Sequence, residues 1–351
     1  MSLPPIEQVS TLLRGQWLIP NIDAAFQNQH ARATPGTVGL LESTILPSFG
    51  IQSGLSLIAY AAARSTNRVE LKDWLWPSGQ VLNVWWSAVG RRMYYEGISL
   101  DKAVSTLSWS EKLLVGAFTL WGGRLFYRIV NRSVKRGTDD PRYEELKQEE
   151  GFWNKSFFTV FLPEAAVQAL ITLPFTVPFL ALPSETFHAP SEYYDLVHGL
   201  AVGLFTAGFG LEVLADQQLD AHLALGKSSE LQREGVWSIV RHPNYLGDAL
   251  VHASFPILLY GSGLLHPLSL LGPLANYIFL RHIGGTKQKE KHQQRRYSAS
   301  DPEKFAQLEQ WTKDNNSFWP KAKEAQNPWL WTVVGLGVAG VAVEKLLREM
   351  F

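Results

Sequence analysis

Apolar residues in this chain of 351 residues are gathered into long blocks, and most charged residues lie between the blocks. A helix needs about 20 mostly apolar residues to cross a bilayer. We therefore predict an all-α, polytopic transmembrane helix bundle of about seven spans. The predicted spans lie at roughly 38–63, 74–95, 111–130, 156–182 and 194–215, with two more in a helical hairpin within 246–280.

The blocks divide the chain into three parts. Residues 1–37 form a polar N-terminal segment, residues 38–325 form the membrane-embedded domain, and residues 326–351 hold a weaker apolar helix. That last helix could span the bilayer, lie on its surface or pack on the bundle. Its GLGVAG sequence has the glycine spacing of a dinucleotide-binding loop, but no strand precedes it. We interpret these glycines as positions of close helix packing.

The composition excludes several kinds of chemistry. The chain has no cysteine, which rules out disulfides, zinc–thiolate sites, iron–sulfur clusters and thiol catalysis. Its histidines are scattered, so we predict no metal site. The formal net charge of +0 gives no electrostatic reason to expect a nucleic acid partner. The expected partners are the lipid bilayer and a lipophilic small molecule.

The two longest polar segments, 131–155 and 283–328, are rich in Lys and Arg near their membrane ends. The positive-inside rule places such segments in the cytosol. We therefore expect a multi-pass protein of an internal membrane, with the endoplasmic reticulum as first candidate. A site bordered by these segments would face the cytosol.

Several ionisable residues lie inside the predicted spans. Arg124 and Arg128 are one helical turn apart, Glu212 and Asp216 have the same spacing, and Glu164 lies in the fourth span. Charges in lipid are costly, so they either pair with each other or face a polar cavity. Arg124, Asp216 and Arg241 lie near the same predicted membrane face, which favours a cavity, and pairing remains the alternative.

The stretch VRHPNYLGD, residues 240–248, stands at the start of the sixth block. Pro243 suits the first turn of a helix, and we predict a helix that begins around Asn244 with that residue as its N-cap. A helix N-terminus offers free N–H groups to an anion, and Arg241 adds a full positive charge. The stretch thus predicts a phosphate or diphosphate pocket. The alternative is a plain helix start with a capping Asn and a snorkelling Arg.

Together with the preceding REGVW, this stretch reads G-x-W-x-x-x-R-H-P-N-Y-x-G-D from Gly235 to Asp248. It resembles a pattern shared by integral-membrane sterol reductases, the C-terminal domain of steroid 5α-reductases and the DUF1295 family. The chain is further similar to the DUF1295 family at TLWGGRLFYRIVNRSVKRGTDDPRY, Gln168, GFGLEVLADQQL, LRHIGGTKQKEK, RRY and SFWP.

The resemblance implies a steroid-reductase-like fold and an oxidoreductase that reduces a C=C bond of a sterol, steroid or enone-type lipid with NADPH. It implies a cofactor pocket lined by Arg124, Asp216, Arg241, His242, Asn244, Tyr245, Asp248 and Tyr297. A Tyr hydroxyl polarised by a carboxylate is a common proton donor. We therefore take Tyr245 with Asp248 as candidate catalytic residues, and Glu164 as a second candidate.

Two other functions stay open. Isoprenylcysteine carboxyl methyltransferases, which use S-adenosylmethionine, have a similar arginine–histidine–proline motif, but RRYSASDPEKFAQLEQW matches their C-terminal part poorly. A non-catalytic membrane scaffold would be expected to lose cofactor residues, and nearly all are present. Steroid 5α-reductases carry a basic residue about two turns after the position of Asp216, where this chain has Leu223. The substrate class is therefore left open.

Overall fold

The computed structural model describes residues 39–227 and 229–350. The predicted N-terminal segment 1–37 lies outside these residues. The described part of the chain is helical and contains no β-strand. Its only β-type contact is an isolated bridge between Phe187 and Leu265. The all-α prediction is thus confirmed for this part of the chain.

The principal helices are numbered in chain order. They are Leu41–Thr66 (α1), Leu75–Trp85 (α2), Trp109–Arg136 (α3), Phe152–Ile171 (α4), Leu173–Phe179 (α5), Ser191–Ala224 (α6), Pro243–Gly261 (α7), Leu271–Ile278 (α8), Thr286–Ser300 (α9), Pro302–Asp314 (α10) and Pro328–Met350 (α11). The segments Trp86–Gly90 and Arg91–Glu96 continue α2, and Phe279–Ile283 continues α8.

Four of these helices, α1, α3, α6 and α11, are long and apolar enough to cross a membrane. The pair α4 and α5, bent by 54°, would make a fifth span. This supports an integral membrane protein. Helices α2, α7 and α8 are too short or not apolar enough to meet the same criteria for a membrane span. The count of about seven spans therefore stays a prediction. The predicted hairpin within 246–280 is present as α7 and α8.

Helix α3 carries Arg124 and Arg128, and local sequence signals set its two ends. Ser108 Oγ accepts from the Glu111 N–H at 3.3 Å, and Glu111 Oε2 accepts from the Ser108 N–H at 2.8 Å. This capping box pairs backbone donors that would otherwise be unsatisfied at the helix start. The helix ends at Gly137, whose φ of 71° suits a residue without a side chain.

Helices α6 and α7 cross with their backbones in contact. A Cβ added to Gly247 would lie 2.5 Å from the Gly208 carbonyl oxygen, and one added to Gly208 would lie 2.7 Å from the Gly247 carbonyl oxygen. Gly247 belongs to the VRHPNYLGD stretch, so one role of that stretch is packing. The contact fixes the start of α7 beside α6.

The C-terminal helix α11 packs on α6. A Cβ on Gly337 would lie 2.7 Å from the Gly203 carbonyl oxygen, and one on Gly340 would lie 2.2 Å from Thr206 Oγ1. The packing interpretation of GLGVAG is therefore confirmed for these two glycines. Gly335 has open space around its Cβ position. Helix α11 also carries the buried carboxylate of Glu344.

The close crossing of α6 and α7 can be tested by substitution. Gly247→Ala should lower the free energy of unfolding by about 1–3 kcal/mol, because the new methyl group meets backbone that cannot yield. Thermal unfolding of the detergent-purified protein measures this. Gly123→Ala in α3 is the matched control, since its Cβ position is open. Helix propensity alone should make that control neutral or stabilising by about 0.5–1 kcal/mol. Equal melting temperatures for both variants would contradict the contact.

Candidate functional site

A cavity of about 1010 Å³ lies at one end of the bundle, among α3, α4, α6, α9 and the start of α7. Most residues predicted for the site line it, although they come from separate parts of the chain. They are Arg124, Glu164, Asp216, Asn244, Tyr245, Asp248 and Tyr297. Arg241 and His242 are not among its lining residues.

One wall of the cavity is a ladder of ion pairs between α3 and α6. Arg124 Nη1 lies 2.8 Å from Glu212 Oε2, and its other terminal nitrogen contacts Asp216. Arg128 Nε lies 2.9 Å from Asp216 Oδ2, and its Nη1 lies 2.5 Å from Asp220 Oδ2. Both interpretations of these charges therefore hold, because they pair with each other and also line a cavity. Arg124 is already neutralised here.

The start of α7 differs from the prediction by one residue. The helix begins at Pro243, with His242 at the N-cap in a conformation of φ −133° and ψ 65°, and no side chain caps it. The prediction that Asn244 is the N-cap is therefore wrong, because Asn244 already lies within the first turn. Its side chain lines the cavity, and its Oδ1 is buried without a hydrogen-bond partner in the described structure. A ligand could donate to this oxygen.

Arg241 and His242 lie behind the cavity wall and join α7 to α9 and α10. Arg241 Nη2 lies 2.6 Å from Glu290 Oε1, and its Nη1 donates to the Asn315 carbonyl at 2.5 Å. His242 Nε2 lies 3.0 Å from the same Glu290 oxygen. Arg241 is only 7% exposed. The predicted contact of Arg241 with a phosphate is thus not available in this arrangement, since its donors are already engaged.

Tyr245 and Asp248 line the cavity but do not bond to each other within the described structure. Asp248 Oδ1 accepts from Asn276 Nδ2 at 2.9 Å and lies 2.9 Å from His252 Nδ1. The Tyr245 ring stacks on His242, with ring centroids 5.6 Å apart. The expected polarised hydroxyl is therefore not formed at Tyr245, because Asp248 is turned towards α8.

A tyrosine–carboxylate pair does exist at the other side of the cavity. The Tyr143 hydroxyl donates to Asp73 Oδ1 at 2.7 Å, and Arg142 Nη2 lies 3.1 Å from Asp73 Oδ2. Lys72 Nζ lies 2.6 Å from Glu164 Oε2 and 3.2 Å from Asp73 Oδ1. Glu164 is therefore an ion-pair partner here rather than an isolated acid.

Burial and the nearby Asp73 carboxylate raise the pKa of the Tyr143 hydroxyl, so it keeps its proton at neutral pH. Burial alone would raise the pKa of Asp73, but Lys72 and Arg142 outweigh it and lower that pKa. Sequence reasoning missed Lys72 and Asp73. The only signal was a charged pair in VELKDWLWP just before the second apolar block.

Basic side chains without acidic partners also line the cavity. Within the described residues, no ion pair is formed by Arg132, Lys287, Lys291 or Arg296. Burial, with repulsion from Arg132 and Arg142, lowers the pKa of Lys289 to about 8. The cavity therefore carries positive charge that the described residues do not neutralise, and it suits an anionic ligand.

The burial of His242 beside Glu290 predicts a pH dependence of stability. Burial lowers the pKa of His242 to about 4, from an ordinary value of 6.5, although Glu290 opposes this. The unfolded chain takes up the proton near pH 6.5 and the folded chain only near pH 4. Stability is therefore full above pH 6.5 and falls, by about 3 kcal/mol, as the pH drops to 4.

Thermal unfolding between pH 6.5 and 4 measures this loss. His242→Phe keeps a ring to stack on Tyr245 and should flatten the curve. Half-buried His222, changed to Phe, is the control and should leave the curve unchanged. A wild-type slope retained in His242→Phe would contradict this assignment.

Comparison with known proteins identifies the family. A family model described as a protein of unknown function, DUF1295, matches residues 59–312. No curated protein matches the chain, and no solved structure matches it. The matched region includes the ion-pair ladder, the start of α7 and the Tyr143 cluster, by which we mean Lys72, Asp73, Arg142, Tyr143 and Glu164. The chain therefore belongs to the DUF1295 family.

Proposed function

We propose that the protein is an NADPH-dependent membrane reductase that acts on a C=C bond of a lipid. One observation carries the proposal. The lining of one cavity of about 1010 Å³ combines basic side chains that have no ion-pair partner among the described residues with apolar side chains and Tyr143. A volume of this order matches the upper range of small-molecule sites, about 300–1,000 Å³.

The basic part fits the phosphates of NADPH. Arg132, Lys287, Lys291 and Arg296 would hold negative charge, and Asn244 Oδ1 is an open acceptor for a ligand N–H or O–H. S-adenosylmethionine carries net positive charge and would be repelled by the same side chains. When bound, NADPH supplies a hydride. The charge of the cavity therefore favours the reductase over the methyltransferase.

The apolar part suits a lipid. Trp76 and Phe279 stack with ring centroids 4.7 Å apart, and both line the cavity beside Val160 and Pro163. These residues come from α2, α4 and the continuation of α8. A lipid double bond held here would lie next to the Tyr143 cluster.

Tyr143 is the proton donor that the geometry favours. Its O–H would protonate the carbon next to the one that accepts hydride. Lys72 Nζ lies 5.1 Å and the Arg142 guanidinium 5.3 Å from its ring centroid, so both cations would offset part of the effect of burial and Asp73 on the phenolate that remains. Tyr245 also lines the cavity and remains the second candidate.

We further propose a steroid-reductase-like fold of about seven spans, in which α2 with its continuation and the α7–α8 hairpin also cross the bilayer. The cavity is bordered by the basic segments 131–155 and 283–328, which contribute Arg132 and Lys287. By the positive-inside rule it would open to the cytosol. The endoplasmic reticulum is the proposed membrane.

Cofactor binding can be tested with two neighbouring arginines of α9. NADPH should raise the melting temperature of the detergent-purified protein, since a ligand of the folded state stabilises it. Arg296→Ala should weaken NADPH binding about tenfold, a loss of about 1.4 kcal/mol. Arg295 does not line the cavity and pairs with Glu145 at 2.7 Å, so Arg295→Ala is the matched control.

S-adenosylmethionine is titrated in parallel. Stabilisation by that ligand alone would support methyl transfer instead. Stabilisation by neither ligand would favour the non-catalytic scaffold.

The proton donor can be tested by Tyr143→Phe. Turnover of a sterol enone, measured as NADPH oxidation, should fall about 10²–10⁴-fold because a general acid is lost. The affinity for NADPH should stay the same, since the hydroxyl is expected to act only on the lipid. Tyr245→Phe is the comparison, and a larger loss there than at Tyr143 would move the role to Tyr245.

A further inference from the structure

Four carboxamide side chains are buried between α1, α2 and α4, in the membrane part of the protein. Gln52 and Gln168 are 1% exposed, and Gln80 and Asn83 are 0% exposed. None of them lines the cavity of the candidate site. We call them the carboxamide cluster.

Most polar atoms of the carboxamide cluster lack a hydrogen-bond partner in the described structure. Both side-chain polar atoms of Gln52 and of Gln80 are unpaired, as are Gln168 Oε1 and Asn83 Oδ1. Asn83 Nδ2, by contrast, donates to Thr172 Oγ1 at 3.1 Å. Burying an unpaired amide is costly, and more so in a bilayer where no bulk water can replace the partner. Apolar residues of similar size would be the more stable choice for packing alone.

The side-chain oxygens of Gln52 and Gln168 lie next to the same glycine. A Cβ built on Gly79 would lie 2.6 Å from Gln52 Oε1 and 3.3 Å from Gln168 Oε1. Two acceptors thus face the same small volume above the Gly79 backbone, while the Gln52 and Gln80 amide nitrogens are unpaired donors. A ligand group that fits must donate and accept at once. The cluster contains no carboxylate, so the group should be neutral.

The carboxamide cluster adjoins the apolar part of the cavity. Gln80 lies one helical turn beyond Trp76 on α2, and Gln168 lies one turn beyond Glu164 on α4. Trp76 and Glu164 both line the cavity. A lipid that enters the apolar part would therefore meet these amides next.

We infer that the carboxamide cluster binds the hydroxyl group of a lipid. The hydroxyl donates its proton to one amide oxygen and accepts from an amide N–H. The inference rests on the proposed function in one respect, since the ligand is the lipid class on which the reductase would act. It selects lipids with a hydroxyl over hydrocarbons of the same shape.

The test uses dehydroergosterol, a fluorescent sterol with one hydroxyl, and measures energy transfer from the protein's tryptophans in detergent. Gln80→Met and Gln168→Met keep the side-chain length and remove the amide. Each should weaken dehydroergosterol binding about tenfold or more, because the hydroxyl loses a partner in a dry site. Gln148→Met, at an exposed position outside the cluster, is the control and should bind as the wild type does.

The hydrocarbon 5α-cholestane is the competitor that lacks the oxygen. It should displace dehydroergosterol poorly from the wild type and better from Gln80→Met. Any of three results would overturn the inference. 5α-Cholestane could compete equally well in the wild type and in Gln80→Met, both Gln→Met variants of the cluster could keep the wild-type affinity for dehydroergosterol, or the wild type could fail to bind that sterol.

A second readout separates ligand binding from a structural role. Without sterol, Gln80→Met should melt at or above the wild-type temperature, because its amide has no partner to lose. A clear fall in the melting temperature would assign the amide to packing instead. Stabilisation by NADPH is measured on every protein. A wild type that binds the sterol through these amides but does not respond to NADPH would defeat the proposed function and leave the hydroxyl site standing.

Discussion

The ladder of ion pairs between α3 and α6 is the interaction on which the site depends. Charges within apolar helices must be paired, because an isolated one in lipid is costly. Arg124 and Arg128 can be satisfied only if Glu212, Asp216 and Asp220 face them across the helix interface. This pairing fixes the rotation of both helices. The contact between Gly208 and Gly247 then sets α7 against α6, so that the start of α7 and the ladder share one end of the bundle.

Much of this arrangement could be predicted from the sequence. Apolar blocks of span length predicted the long helices, and the glycines of GLGVAG predicted a packing face. The charged pairs on α3 and α6 predicted a site at one end of the bundle. The partner of Arg241 could not be predicted, because Glu290 lies far along the chain in a polar segment that holds several other acidic residues. The same limit applies to Tyr143 and Asp73, which are brought together from segments about 70 residues apart. The period of the apolar residues predicts which face of a helix is buried, but it does not predict which residue a polar side chain will contact.

The site is also where local rules of stability are broken. Within the described residues, Arg132 and Arg296 lie in the cavity without ion-pair partners, Asn244 presents an unpaired buried oxygen, and Gln80 has no partner for either polar atom. Elsewhere the charges of this region are paired closely, as around Glu290. Natural proteins keep such costly features mainly at functional sites. Their concentration in and beside one cavity supports a binding role more strongly than the sequence pattern does alone.

The most direct measurement is a cryo-electron microscopy structure of the protein with NADPH in a lipid nanodisc. We expect density in this cavity, with the phosphates near Arg132 and Arg296 and the nicotinamide near Tyr143. We also expect Arg241 to stay bound to Glu290. Density for the phosphates on Arg241, or for the nucleotide outside the cavity, would contradict the proposed site. An unchanged cavity at saturating NADPH would do so as well.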